Sequence, residues 1–139
     1  MDLDLTGKRA LVCGSTQGIG RAAAIELALL GSTVILLARN DEAQKKVVDE
    51  LPRQRGQRQE FSVADFSYPE QVKRAVEALT SENTVHILVN NTAGPPAAPA
   101  LAAEAKDFTE AFLALLICNH LLVQGVVPGM KKEGFGRIV

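Results

Sequence analysis

The sequence predicts an α/β protein with a doubly wound parallel sheet, covered by helices on both faces and ending at the fifth strand. Short runs of branched apolar residues alternate with longer helical stretches, a pattern typical of parallel sheets. Their order, βαβαβαβαβ, fits within 139 residues, whereas a closed β/α barrel needs far more chain. The hydrophobic fraction of 47% is sufficient for one globular core.

The first two strands each lead into a helix. The first strand is predicted over residues 8–13, and a glycine-rich loop connects it to a helix over residues 20–30. Gly31 precedes the second strand, which covers residues 33–38. Asn40 and Asp41 are residue types that cap helices, so we expect the next helix to begin there and to end before Pro52.

The third helix has a strong start signal. It follows a strand predicted over residues 60–65. Ser67 and Glu70 have the spacing of a capping box, and Pro69 is expected in the first turn. A fourth strand over residues 85–90 then precedes a loop rich in alanine and proline.

The last helix is predicted to begin near Lys106 and to lead to a fifth strand at the last two residues. Gly125 and Pro128 are expected to break its last turns. Its apolar segment, residues 111–130, is long enough to span a bilayer, but polar side chains interrupt it. We therefore expect no membrane span. A helix buried on one side by its own core and on the other by a partner subunit explains the same composition.

Charge and cysteine content exclude several classes of function. Fifteen basic against sixteen acidic residues give a net charge of -1, which argues against binding to nucleic acid or to an anionic membrane. Cys13 and Cys118 are far apart in sequence, so we expect two reduced thiols and no metal site. The first ten residues lack the pattern of a secretory signal, which favours a cytoplasmic protein.

The loop after the first strand, GSTQGIG over residues 14–20, is predicted to bind an anion. It lies where a helix begins, and a helix N-terminus presents free N–H groups and a partial positive charge. Gly14 permits a tight turn, Gly18 lets the backbone approach a phosphate, and Gly20 lets the helix pack closely on the sheet. The alternative is a glycine-rich turn that only reverses the chain.

The spacing of these glycines resembles the TGxxxGxG motif of the short-chain dehydrogenase/reductase family, with Cys13 where the family usually has Thr. The segment LVNNTAG, residues 88–94, is similar to the family's NNAG segment. Asp65 falls where the family has an Asp near the adenine ring, and the final GRIV is similar to the family's fifth strand. The resemblance covers the whole chain and implies a Rossmann-like fold, a nicotinamide cofactor and an oxidoreductase.

The resemblance also implies which residues bind the cofactor. In NNTAG, Thr92 and Ala93 depart from the family pattern, so a backbone contact there is less well supported. In isolation Asn90 and Asn91 could equally bond the backbone at a strand end, and Asp65 could be a turn residue. The expected cofactor-binding residues are Gly14, Ser15, Thr16, Gln17, Gly18, Ile19, Gly20, Arg39, Asn40, Asp65, Phe66, Asn91, Thr92 and Ala93.

The tip of the second strand favours NADP(H). NAD-binding relatives place an acid there to bind the ribose hydroxyls, and this sequence has Ala38 followed by Arg39. A guanidinium can hold the 2′-phosphate with paired hydrogen bonds. Two points leave NAD(H) possible: Gln17 stands where a second basic residue is common, and Arg39 could be a solvated loop charge.

No catalytic residue is assigned within the chain. In the family a Ser, a Tyr and a Lys follow the fifth strand, so we expect residues 1–139 to be an incomplete NAD(P)-binding domain with a catalytic portion beyond. The only tyrosine is Tyr68, and a YxxxK pattern would need Lys at Val72. A family Asn that holds a water aligns with Leu115, one helical turn before Asn119.

The sequence therefore predicts the cofactor-binding part of an NADP(H)-dependent oxidoreductase acting on a small carbonyl or alcohol. The long apolar helix predicts a homo-oligomer, a dimer or a tetramer. The alternative is a non-catalytic nucleotide-binding or interaction module, for which Leu115 and Ala93 are the internal hints. A methyltransferase is disfavoured by the lack of an acid at Ala38. His86 and His120 are expected to be packing or surface residues.

Overall fold

The computed structural model of the chain describes residues 3–139. Within that range five parallel strands form one sheet in the order β3-β2-β1-β4-β5, with helices between them. The elements are β1 (Arg9–Cys13), α1 (Gly18–Leu29), β2 (Thr33–Ala38), α2 (Asp41–Glu50), β3 (Glu60–Val63), α3 (Pro69–Thr80), β4 (Ile87–Val89), α4 (Ala105–Phe112), α5 (Cys118–Glu133) and β5 (Arg137–Ile138). The predicted fold class is confirmed.

The centre of the sheet is β1, which pairs with β2 on one side and β4 on the other. Cys13 lies beside Leu37 of β2, and Val12 lies beside Val89 of β4. The chain winds outward through β2 and β3, then crosses back over β1 to β4 and β5. This reversal opens a crevice at the carboxyl ends of β1 and β4, where ligands of open α/β sheets bind.

Two apolar layers hold the helices on the sheet. One layer contains residues from α3 and α5 packed on Leu11, Ile35 and Leu88, and the other lies between the opposite sheet face and helices α1 and α2. The largest fully buried apolar side chains are Leu11, Ile35, Leu36, Leu37, Leu88, Leu122, Val12, Val34, Val72, Val76 and Val85. Truncating one of the leucines to alanine typically costs about 2–5 kcal/mol.

The last helix is continuous over Ala105–Glu133, with a π-helical segment, Leu113–Ile117, joining α4 to α5. Its predicted start is confirmed, but the predicted break at Gly125 and Pro128 is wrong. The helix continues through both residues and ends at Gly134, whose φ of 65° supplies the left-handed cap. Leu122, Val126 and Met130 are buried along one face of α5, and this packing outweighs the cost of proline.

The same helix is long and apolar enough to cross a membrane, judged by length and composition alone. One such helix is weak evidence for a membrane span, because a core helix of a soluble protein meets the same criterion. Here α5 packs against α3 and the sheet, and a Cβ at Gly125 would lie 2.6 Å from Val76. Phe108, Phe112 and Leu116 remain exposed on the helix.

The predicted capping box at the start of α3 is wrong. Tyr68 is the N-cap residue, and Ser67 lies one position outside the helix. Over residues 3–139 no side chain caps this N-terminus; Pro69, which has no N–H to satisfy, occupies the first turn as expected. The local competitor is Asp65, whose carboxylate accepts the Ser67 N–H at 2.9 Å and so holds Ser67 in the preceding turn.

His86 joins three elements at the edge of the sheet opposite the crevice. Its Nδ1 accepts the backbone N–H of Arg9 at 3.0 Å, so the ring proton lies on Nε2 and is donated to Glu133 at 2.7 Å. The ring also contacts Phe135 edge-on. His86 is therefore a buried packing residue, as predicted. Its carboxylate partner, Glu133, lies 47 residues away along the chain and was not anticipated.

We expect Glu133→Gln to weaken the dependence of stability on acid pH. Hydrogen bonds from Thr84 and then His86 hold the pKa of the Glu133 carboxyl below its ordinary value of 4.5. The ionised group thus stabilises the fold above that value, and the contribution is lost as the pH falls through the lowered pKa. Melting curves from about pH 7 to about pH 3 should show the wild-type advantage shrinking. A wild-type-to-variant difference that is independent of pH would contradict this assignment.

Candidate functional site

The glycine-rich loop packs against the end of β4 with no room for side chains. Gly14 has a φ of 58°, and its N–H donates to Leu37 O at 3.0 Å. A Cβ on Gly14 would lie 1.9 Å from the backbone oxygen of Asn91, and one on Gly20 would lie 2.3 Å from Gly14 O. These contacts bring the loop, the start of α1 and the end of β4 together at the crevice.

The N-terminus of α1 is open to a ligand. The helix begins at Gly18, and within the described part of the chain no side chain caps it and no acid lies in its first turn. The space above Gly18 is free: a Cβ there would meet nothing within 4 Å among the described atoms. The first N–H groups of the helix therefore keep their partial positive charge and hydrogen-bonding capacity, which suits a phosphate.

Ser15 supplies a further polar group in the loop that precedes this N-terminus. Its residue is fully buried, yet its Oγ has no hydrogen-bond partner among residues 3–139. A buried hydroxyl is normally satisfied, so the orphan points to a missing partner. Thr16 is half-buried, and Gln17 and Ile19 are exposed, with 78% of Ile19 accessible. The loop thus offers amides and a hydroxyl, and neither residues 14–20 nor the first turn of α1 contains an acidic residue.

Arg39 lies directly after β2, at the same edge of the sheet. It is exposed, and its guanidinium has no hydrogen-bond or ion-pair partner in the range that the structure describes. Asn40 is engaged instead: its Oδ1 accepts the N–H of Ala43 at 2.9 Å and caps α2, as predicted. Asp41 is the first residue of α2. Arg39 is therefore free to bind an anion, whereas Asn40 has a structural role.

Asp65 and Phe66 follow β3 and form the next wall of this edge. One carboxylate oxygen of Asp65 accepts the Ser67 N–H, and its backbone N–H donates to Gln71 at 3.1 Å. The carbonyl of Phe66 accepts a hydrogen bond from Cys118 Sγ at 3.3 Å. Asp65 is thus a turn residue, the alternative that the sequence left open, and it still has an oxygen available for a ligand.

The two cysteines lie in the apolar layer beneath this edge. Burial, and then the neighbouring Cys118 thiol, raise the pKa of Cys13 to about 12. Burial also raises the pKa of Cys118, with a smaller effect from Asp65. Both thiols are free and protonated at neutral pH, so neither is a nucleophile.

The residues after β4 complete the crevice. Asn91 Nδ2 lies 3.4 Å from Gly14 O and 3.5 Å from Cys13 O, which ties β4 to the glycine loop. Asn90 donates its backbone N–H to Val139 O at 2.7 Å, but its buried Oδ1 has no partner from Leu3 onward. Thr92 is half-buried and Ala93 is exposed. Asn91 therefore bonds the backbone, which is the alternative that the sequence left open, and it packs against the glycine-rich loop.

Leu115, at the position of the family Asn, lies inside the π-helical segment and is 37% exposed. Asn119, one turn later, donates from Nδ2 to the Leu115 carbonyl at 2.8 Å. Its Oδ1 is buried without a partner in the part of the chain that is described. Asn119 thus satisfies a carbonyl of the irregular turn, a role that the sequence did not indicate.

The remaining candidates lie away from the crevice or lack chemistry. Tyr68 is 59% exposed at the start of α3, which agrees with its predicted surface role. Among the described residues, no group of three or more His, Cys, Asp or Glu side chains could hold a metal ion. The structure brings together the glycine loop and Asn91 by direct contact, with Arg39 and Asp65 following neighbouring strands at the same sheet edge.

Comparison with known proteins identifies one family. The family model described as short chain dehydrogenase matches residues 8–139. The chain is 34% identical over 140 residues to the 3-oxoacyl-(acyl-carrier-protein) reductase of Aquifex aeolicus. The alignment covers 100% of this chain and 56% of that protein. It spans about half the length of the curated relatives it matches.

Solved structures agree with this match. The L-sorbose reductase of Gluconobacter frateurii, solved with NADPH and L-sorbose, superposes with a TM-score of 0.90 at 31% identity, covering 99% of this chain and 53% of that one. A gluconate 5-dehydrogenase of Burkholderia cenocepacia, solved with NADP and tartrate, gives 0.84 at 30% identity over 99% of this chain and 54% of that one.

Proposed function

The chain belongs to the short-chain dehydrogenase family, and we propose that its full-length protein is an NADP(H)-dependent oxidoreductase that transfers a hydride between nicotinamide and a small carbonyl or alcohol. In this proposal residues 1–139 are the NAD(P)-binding domain, still incomplete, and the residues that exchange the substrate proton follow them. The observation that carries the proposal is the uncapped N-terminus of α1 beside the orphan Ser15 Oγ, at the crevice between β1 and β4.

The pyrophosphate is proposed to bind at this N-terminus. The N–H groups of Gly18, Ile19 and Gly20 precede the first intrahelical bond, which Arg21 donates to Gln17 O. They can therefore donate to phosphate oxygens without losing a bond within the protein. Because Gly14 and Gly20 have no Cβ, the loop packs closely against Asn91. This close packing leaves space for a ligand on the other side of the loop. Ser15 and Thr16 add hydroxyl groups to the same loop.

The adenosine half is proposed to extend toward β2 and β3, along the sheet edge on the other side of β1. Arg39, unpaired among residues 3–139 and next to Asn40, would bind the 2′-phosphate. Asp65 and Phe66 would flank the adenine. Ala38 carries no carboxylate to repel the phosphate, which is the reason for preferring NADP(H) over NAD(H).

The nicotinamide half is proposed to lie along the residues that follow β4, with Asn91, Thr92 and Ala93 beside the ribose. When bound, the cofactor supplies the hydride chemistry that no amino-acid side chain provides. In this proposal the chain binds and orients the cofactor, and the buried, protonated thiols of Cys13 and Cys118 take no part in the chemistry.

The assembly and location are proposed in the same way. The exposed residues Phe108, Phe112 and Leu116 follow one another at intervals of four along the last helix, so they share one face. We propose that this face packs against a second copy in a dimer or tetramer. We further propose a cytoplasmic protein without a membrane or nucleic-acid partner, consistent with the net charge of -1.

Thermal denaturation tests the proposal most directly. NADPH at about one hundred times its dissociation constant should stabilise the full-length protein by roughly 2.7 kcal/mol, because it binds only the folded state. We expect the melting temperature to rise by several degrees, and by less with NADH at the same concentration. No rise with either nucleotide, in a sample shown to be folded, would overturn the proposal.

Ile19→Glu separates binding from stability in the same assay. A carboxylate in the first turn of α1 interacts favourably with the helix dipole, so the ligand-free melting temperature should stay level or rise. The same charge should repel the pyrophosphate and remove the response to NADPH. Ile19→Gln is the matched control, since it has nearly the same shape without the charge, and it should retain the response.

A further inference from the structure

Gln44 is a buried polar residue on a helix whose other face is solvated. It lies in α2 with 0% of its surface accessible, while its neighbours Lys45 and Lys46 are exposed. Its Nε2 donates to the backbone carbonyl of Ala38, the last residue of β2, at 2.9 Å. Its Oε1 is buried too, and none of the described residues bonds it.

The Gln44 bond completes the restraint of one peptide unit. The carbonyl of Ala38 also accepts the N–H of Ala64 at 3.1 Å, so both of its lone pairs are used. This carbonyl belongs to the peptide that joins Ala38 to Arg39. The peptide is therefore held from the β3 side and from α2 together.

The residue after Arg39 is held as well. Asn40 Oδ1 accepts the Ala43 N–H at 2.9 Å, and Asn40 O accepts the Gln44 N–H at 3.1 Å. Arg39 thus lies between a doubly bonded peptide and a capped helix. Its Cα is fixed even though its side chain is exposed and has no partner in the described range.

Stability alone does not explain a glutamine at this position. Two other buried glutamines, Gln57 and Gln59, use both ends of the amide in hydrogen bonds to the backbone. Gln44 leaves its buried oxygen unpaired, and an unsatisfied buried acceptor typically costs about 1–3 kcal/mol. An apolar side chain of the same length would avoid that cost and leave Ala38 bonded to Ala64.

We propose that Gln44 is a positioning residue for cofactor selectivity. By holding the Ala38–Arg39 peptide, it directs the guanidinium of Arg39 to the place where the 2′-phosphate of NADPH binds. The unfavourable buried oxygen is retained because this geometry is needed for binding. The inference rests on the proposed function, since it requires that the edge beside Arg39 takes the adenosine ribose.

The test is Gln44→Met in the full-length protein, with dissociation constants measured for NADPH and NADH. Methionine keeps the length and volume of the side chain but removes the donor to Ala38 O. We expect the melting temperature without ligand to be unchanged or higher. We expect NADPH to bind about three- to tenfold more weakly, with NADH affinity unchanged, so that the selectivity ratio falls.

Three comparisons make the outcome decisive. Gln57→Met changes a buried glutamine bonded to Ala28 O, far along the chain from Arg39, and should leave the selectivity ratio unchanged. In an Arg39→Ala background, Gln44→Met should have no further effect on the ratio, because its influence passes through that guanidinium. Gln44→Leu is a second apolar variant in case Met does not pack.

The results distinguish failure of the proposed function from failure of the role of Gln44. Wild-type protein that binds neither nucleotide would overturn the proposed function and this inference with it. Wild-type protein that prefers NADPH, with the same preference in Gln44→Met, would overturn only the role of Gln44. Failure of both apolar variants to fold would also overturn that role, because it would assign the glutamine to stability.

Discussion

Gly14→Ala is expected to lower the free energy of unfolding by about 3 kcal/mol or more and to abolish nucleotide binding. The added Cβ would lie 1.9 Å from the Asn91 oxygen, and the φ of 58° is unfavourable for alanine. The backbone of Asn91 cannot rotate away as a side chain could. Its neighbour Asn90, which follows β4, is held by a backbone hydrogen bond to Val139. Relief of the overlap must therefore separate the loop from β4 and displace the start of α1.

Urea denaturation of the full-length protein measures the first effect, and NADPH titration of the folded fraction measures the second. Gly18→Ala is the matched control for the loss of stability alone, because Gly18 has nearly the same φ, 55°, but a Cβ there would meet nothing within 4 Å among residues 3–139. It should cost only about 1 kcal/mol, the conformational part of the effect. Equal losses of unfolding free energy in the two variants would show that the contact with Asn91 does not cause the destabilisation.

Arg39→Ala is expected to weaken NADPH binding by about 10- to 100-fold and to leave NADH binding nearly unchanged. A charge-assisted hydrogen bond to a phosphate contributes roughly 1.5–3 kcal/mol, which corresponds to this range. Arg39 is exposed and has no partner over the described range, so its removal should not change the stability of the ligand-free protein. The loss should also shrink at high salt, since screening already weakens the wild-type contact.

Isothermal titration of both nucleotides at two salt concentrations checks this expectation. Arg58→Ala is the control: Arg58 is an exposed arginine that precedes β3 and therefore lies at the opposite edge of the parallel sheet. It should bind both nucleotides like the wild type. If Arg39→Ala weakens NADH as much as NADPH, the residue contacts a part of the cofactor common to both, and the 2′-phosphate assignment is wrong.

Much of the fold was predictable because its signals are local. Runs of branched apolar residues located every strand, and β2 was predicted with the bounds that the structure has, Thr33–Ala38. The glycine spacing located the loop, since a left-handed φ at Gly14 and Gly18 is a property of single residues. Asn40 was recognisable as a cap for the same reason, because a cap acts within one helical turn.

Errors arose where tertiary packing or a competing hydrogen bond outweighed the preference of a single residue. Gly125 and Pro128 predict a helix end, yet the buried face of α5 on α3 and the sheet keeps the helix intact to Glu133. Ser67 predicts an N-cap, yet the turn made by Asp65 leaves that position to Tyr68. In each case the energy of packing or of a competing hydrogen bond was larger than the propensity that the sequence displays.

The sequence by itself determined the order of the elements, the position of the glycine-rich loop and the family, because each depends on residues that are adjacent or at fixed spacing. Only the tertiary structure decided which groups meet: Asn91 against Gly14, His86 against Glu133, and Gln44 against the peptide before Arg39. Such pairs depend on how the elements pack and on burial, which sets the cost of leaving a polar group unpaired, and neither can be read from local spacing.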